Sequence, residues 1–149
     1  MKNSTWLIIA LFALGGFGFY YFNTNKQHSD GLKMIRNAWI KYIGVDKFHY
    51  QFSELGGVQP FDVPVQNNTD FIVDEIIVSV NYIKTSGEVY KTEKVTISNI
   101  PPHSIKSARA PESQRGTRVE VKIDEIISRS LHLCYPQGSG DYTDPYFCR

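Results

Sequence analysis

The sequence predicts a mainly β domain, an antiparallel sandwich of about seven strands, carried behind a hydrophobic helix and a short amphipathic one. Three observations predict it. An uncharged apolar run fills residues 6–22, period-two alternation of apolar and polar residues sets in past Gly44, and turn signals interrupt that alternation at short intervals. At 149 residues the chain holds one core of ordinary size. It divides into an anchor with its flank (1–28), an amphipathic helix (29–44) and a sandwich (45–149).

Composition narrows the partners. With 16 Lys+Arg against 15 Asp+Glu the formal net charge is +1, and no concentrated basic face exists to grip phosphates, so nucleic acid is not expected as a partner. Aromatic residues make up 13% of the chain and often neighbour Val, Ile or Thr, which favours a half-buried pleated surface over disorder.

From Trp6 to Phe22 the sequence reads WLIIALFALGGFGFYYF, without a charge. As a helix it spans about 25 Å, close to a hydrocarbon core. Phe17, Phe19, Tyr20, Tyr21 and Phe22 form the aromatic belt expected where a helix meets headgroups. A removable signal peptide is the rival reading, but the exit FGFYYFNTN holds no small-x-small cleavage site and no cysteine for lipid attachment. An uncleaved single-pass anchor is therefore expected, with the membrane as a partner through Trp6 to Phe22. Lys26, Lys33, Arg36 and Lys41 follow the run while Lys2 precedes it, which by the positive-inside rule would leave the domain in the cytoplasm. The cysteine pair and the short N-terminal tail point the other way, to the extracytoplasmic (periplasmic) side of the inner membrane.

Ser29 and Asp30 can cap a helix starting near Gly31, and Leu32, Ile35, Trp39 and Ile43 recur on one face of it. Lys33, Arg36 and Lys41 fall on other faces, so the helix either lies on anionic headgroups or packs Trp39 against the sandwich; packing is favoured. Candidate strands are Lys47–Ser53, Phe61–Gln66, Asp74–Lys84, Glu88–Ser98, Ile105–Ala110, Thr117–Ile123 and Ile126–Tyr135. Val119, Val121 and Ile123 face inward, with Arg118, Glu120, Lys122 and Asp124 outward. Ile76, Val78, Val80 and Tyr82 form a second inward face, and the Thr85-Ser86-Gly87 turn leads to a partner strand. About seven such strands is the number of an immunoglobulin-like sandwich. The tetrapeptide DEII occurs at Asp74–Ile77 and Asp124–Ile127, but without flanking similarity it marks no repeat.

The stretch Val65 to Val121 resembles a pattern of bacterial membrane-anchored envelope proteins whose domain is immunoglobulin-like, similar in outline to FxLYD-type and water-stress-type sandwich domains. The resemblance is carried by NNTD at Asn67–Asp70, GEVYKTE at Gly87–Glu93 and APESQRGT at Ala110–Thr117; the F-x-L-Y-D signature itself does not occur. It implies a fold and an envelope location, with no activity, cofactor or catalytic residue to carry over.

Cys134 and Cys148 are separated by a turn-rich segment and are read as a disulfide. Closing a loop of about 15 residues stabilises by about 3 kcal/mol. His132 beside Cys134 lacks an orienting third group for nucleophilic chemistry. His28, His49, His103 and His132 show no local zinc spacing, and Asp141 with Asp144 lacks an EF-hand pattern, so no metal or cofactor is expected. The acidic doublets Asp74-Glu75 and Asp124-Glu125 point to opposite strand faces. In APESQRGT, Arg115 either bonds loop carbonyls around Gly116 or contacts an anionic partner. Tyr142, Tyr146 and Phe147 form a small recognition surface or cover the end of the sandwich. Asn67-Asn68-Thr69 has the form of a glycosylation sequon, and a turn explains it as well.

No catalytic constellation stands out, so no enzyme is expected. The expected function is a membrane-tethered extracytoplasmic interaction or scaffold module that binds an envelope protein. The alternatives are a small-ligand carrier or enzyme with a site at the sandwich ends, and a structural spacer.

Overall fold

A computed structural model describes residues 29–53, 56–136, 138 and 142–149. The apolar run 6–22, and with it the expected anchor and its aromatic belt, lies outside the described residues. Among the described residues no helix is long and apolar enough to cross a membrane. The chain divides into two compact units, Met1–Met34 and Ile35–Arg149. In the first, residues 29–34 are helical; in the second, residues 35–37 are helical and the sandwich follows.

The helix is shorter than expected. It stops at 37, a 3-10 turn covers Trp39–Lys41, and Ile43–Val45 forms the first strand, β1. Ile43, counted with the helical stripe, is instead a core residue of that strand. The other strands are β2 (Phe61–Asn67), β3 (Val73–Ile83), β4 (Val89–Ile100), β5 (Ser104–Ala110), β6 (Arg118–Ser128) and β7 (Leu133–Tyr135). They form two antiparallel sheets, ordered β1-β2-β5 and β4-β3-β6-β7, and the chain passes between them after β2, β4 and β5. A seven-stranded β-sandwich results.

The alternation read from the sequence fixes the faces. Ile76, Val78, Val80 and Tyr82 of β3 are fully buried, as are Val63 and Val65 of β2 in the other sheet. The break expected between Thr117–Ile123 and Ile126–Tyr135 is a β-bulge, not a turn. Across β3–β6, Ile77 pairs with Glu125 and Val78 with Ile123, which leaves Asp124 as the extra residue. Its carboxylate accepts a hydrogen bond from the Ser79 hydroxyl. The true turn falls later, at residues 129–132, where His132 takes a φ of 51°. The two DEII segments lie opposite each other in that ladder, with Ile76 against Ile126.

One amide ties two of the three sheet crossings together. Asn67, fully buried at the end of β2, donates from Nδ2 to the carbonyls of Phe71 (2.8 Å), Ile100 (3.2 Å) and Pro101 (3.0 Å). Its Oδ1 accepts from the main-chain N–H and the hydroxyl of Thr69. The sequon is thus a turn whose first Asn is closed to modification in the folded chain. Asn67→Ala removes all five of these bonds, although Phe71 O keeps the Thr69 hydroxyl and Pro101 O the Ser104 hydroxyl, and chemical denaturation is expected to show a loss of about 2 kcal/mol.

Tyr82 reaches out of the core to donate its hydroxyl to the Pro111 carbonyl. Burial pushes its phenol up to about 12, with the Glu93 charge adding to it. An unfolded chain releases that proton near 10, so the contribution is complete below pH 10 and falls as pH rises toward 12, by about 1.4 kcal/mol per unit. Unfolding free energies measured from pH 8 to 11.5 should decline less steeply in Tyr82→Phe than in the parent. At neutral pH the variant is expected to lose about 1 kcal/mol.

Candidate functional site

The C-terminal lobe is built around a charge that the sequence reading placed on the outside of the helix. Arg36 is buried at 4% exposure. Its guanidinium forms a salt bridge to Asp144, donates to the Leu131 carbonyl at 2.9 Å, and lies 5.1 Å from the centre of the Phe147 ring. Trp39 packs on Tyr135 with centroids 4.5 Å apart, and Tyr135 on Tyr146 at 5.6 Å. The expectation that Trp39 covers the sandwich therefore holds, while Arg36 faces inward because Asp144 and a main-chain carbonyl replace its hydration.

Cys134 and Cys148 are joined, with Cα atoms 5.8 Å apart. Around that bond the segment is annealed to β7. Cys134 N donates to the Tyr146 carbonyl, Cys148 N to the His132 carbonyl, and Leu133 bridges Phe147. Of the aromatic residues singled out in the sequence, Phe147 stacks on His132 at 5.5 Å and Tyr146 packs inward, whereas Tyr142 is fully exposed. Asp144 is engaged by Arg36; Asp141 lies outside the described residues. Arg115 is exposed and sits 5.9 Å from the centre of the Tyr90 ring, which Lys84 also approaches. The loop around it is held by Ser113, whose hydroxyl donates to the Arg115 carbonyl, and by Gly57 N donating to Gly116 O.

The feature that sequence reasoning missed lies in Lys47–Ser53, expected as a strand. After Val45 pairs with Val65, this segment parts from β2. It rejoins only at Phe52, which bridges Val58, the partner reached by counting residue for residue from Val45–Val65. Register is unchanged across the gap, so the ladder is opened rather than slipped. Asp46 N donates to Pro64 O at 3.0 Å on one side and Gln59 N to Gln51 O at 3.0 Å on the other. Between them, among the described residues, the main chain of Phe48, His49 and Tyr50 makes no hydrogen bond.

Two prolines explain the opening. Continued pairing would set Pro64 opposite Asp46 and Pro60 opposite Tyr50, and neither proline has an N–H to give. Phe61–Asn67 pairs regularly with β5, so the alternation holds through Phe61, and Asp62, like Pro64, turns its main-chain groups toward the gap. The sequence signal was present as two prolines four residues apart in one strand pattern.

Aromatic packing keeps the detached segment in place. Phe48 stacks on Phe61 at 5.6 Å, Tyr50 lies 5.8 Å from Phe61, and the Tyr50 hydroxyl accepts from Val119 N at 3.3 Å. The seam encloses a groove of about 540 Å³ whose rim carries Lys47, His49, Asp62 and Arg109. Asp62 and Arg109 approach to 3.4 Å. A second hollow of about 540 Å³ lies among Phe52, Gly57, Gln59 and Ser113 and shares Tyr50, Gln51 and Gln59 with the first.

The carboxyls with lowered pKa stand elsewhere. The Arg129 main-chain N–H and then its guanidinium hold Asp74 below the usual carboxylate range against burial, and Lys84 does so for Glu88. Among the described residues no cluster of His, Cys, Asp or Glu is placed to hold a metal ion. Comparison with protein-family models, curated proteins and solved structures gives no match to this chain.

The salt bridge and the disulfide secure the same lobe, so their losses overlap. Asp144→Ala strands a buried guanidinium, and removing the disulfide as Cys134→Ser/Cys148→Ser frees the loop; each is expected to cost about 3 kcal/mol. The combined variant should lose less than both together, since a released lobe no longer holds Asp144 at Arg36. A denaturation cycle of the four proteins measures that difference.

Proposed function

We propose that this chain is an interaction module tethered to a membrane, with an immunoglobulin-like sandwich on the extracytoplasmic side that binds a protein of the cell envelope. The observation that carries this reading is the open seam between residues 47–51 and 59–64, where main-chain groups and a rim of mixed charge stand available to a second chain. Strand order supports the immunoglobulin-like part, since three strands facing four with repeated crossings between sheets is how such domains are built. The joined cysteines support an oxidising compartment. The apolar run 6–22 supports the tether, and a tether raises local concentration so that modest affinity suffices. The resemblance to FxLYD-type envelope domains agrees with both.

The groove's volume also suits a small molecule, which favours a ligand carrier as the second reading.

Photo-cross-linking in native membranes separates these. A cross-linker introduced at Gln51, on the seam, is expected to yield a discrete protein adduct, and one at Glu120, on the outer face of β6, is not. Equal adducts from both positions, or none under conditions that trap known complexes, would count against a seam-based module. In the same membranes the chain should resist alkaline carbonate extraction, and a chain lacking 1–28 should not.

A further inference from the structure

Resting on the reading of the chain as an interaction module, we infer that the seam is a strand-acceptor site for an extended peptide segment of the partner, one that carries a carboxylate side chain. The entering segment takes up hydrogen bonds from the main chain of Phe48 on one wall and of Asp62 on the other.

The case starts from the main chain. When the β1–β2 register is extended past Val45, Phe48 and Asp62 fall opposite each other, and they are not bonded to each other although both have donors and acceptors. Unpaired main-chain groups along a strand can bond an added one, so a segment that meets both walls bonds two edges where an ordinary edge strand offers one. Pro60 and Pro64 cannot donate, so the two halves of the chain do not compete with the incoming strand for closure of the ladder. Moving residues 47–50 aside breaks no bond between two main-chain groups among the described residues, and costs the Val119 N–H its Tyr50 hydroxyl.

The side chains define the occupant's chemistry. Successive residues of a strand point to opposite sides, so alternate side chains of the guest meet the Phe48, Tyr50 and Phe61 cluster while the rest meet the rim. That rim holds Lys47, His49 and Arg109 against a single carboxylate, Asp62, and Asp62 already leans on Arg109. A guest carboxylate finds two permanent cations there; a guest lysine finds like charge.

The probe is a capped heptapeptide alternating valine and threonine with a central glutamate, added to the full chain in detergent. It is expected to bind and to slow hydrogen exchange at the amides of Phe48 and Asp62. N-methylation along one edge of the peptide removes donors and should weaken binding about tenfold. Lysine in place of glutamate should weaken it severalfold, with the difference shrinking as salt rises. Pro60→Val/Pro64→Val restores donors on the seam; it should protect both amides without peptide and reduce binding. The inference is overturned if the peptide does not bind, or if the N-methylated form binds as well as the parent, because adsorption on the aromatic cluster would then explain the contact. Either result alongside a discrete adduct from Gln51 removes strand addition and leaves the interaction module standing; loss of the adduct as well removes both.

Discussion

The crossings that leave β2 and β4 depend on the Asn67 amide. A sandwich whose chain changes sheets after β2, β4 and β5 must turn sharply where backbone carbonyls lose their ladder partners, and a fully buried carbonyl without a donor is costly. Asn67 sits where the chain leaves β2 and reaches the turn that leads into β5, so one side chain supplies donors to both corners. With its acceptor held by Thr69, every polar atom of the side chain is used. An apolar residue of that size would fill the space and leave each corner short of a donor, and Asp would aim a charge at carbonyl oxygens.

With the corners fixed, β1 and β2 are locked in register at one end, and Phe52–Val58 restores the same register at the other. The opening between them is therefore a property of local chemistry and not of misalignment. Proline removes one donor from each of two rungs, and the side chains of Phe48 and Tyr50 hold the detached chain against the sandwich end without bonds from its own main chain. Side-chain packing has taken over the work usually done by the ladder, which is what leaves the ladder groups unused.

Period-two faces were legible because burial enforces them: Ile76, Val78, Val80 and Tyr82 could not be shifted by one residue without turning the core outward. The cysteine pair and the packing of Trp39 were legible for similar reasons, each having one favourable outcome. Arg36 was not, because periodicity assigns a charged residue to solvent, whereas its burial depends on Asp144, distant in sequence. β1 is three residues long, too short for any periodicity to declare itself against a helical stripe. The turn at 129–132 carries neither Gly nor Pro, and its left-handed residue is His132. The seam was hidden by the same alternation that made Lys47–Ser53 look like a strand: Phe48, Tyr50 and Phe52 do alternate, but they pack as a detached segment.

The treatment of other edges sharpens the meaning of the seam. β4 closes its sheet with a long, mostly exposed strand, and it carries Lys91 and Glu93, a salt-bridged pair on the inward side, together with Lys94. Inward charges and lysines on an edge prevent another chain from adding there, because pairing would desolvate them. β5 is guarded by Lys106, whose ammonium is spent on the Ser98 carbonyl, and β7 is covered by the segment that ends in Cys148. These edges are blunted by the devices that natural sheets use against unwanted pairing. At the seam the chain does the opposite: it places prolines where they keep its own strands apart, and it leaves the main chain of Phe48 and Asp62 unpaired beside an aromatic cluster.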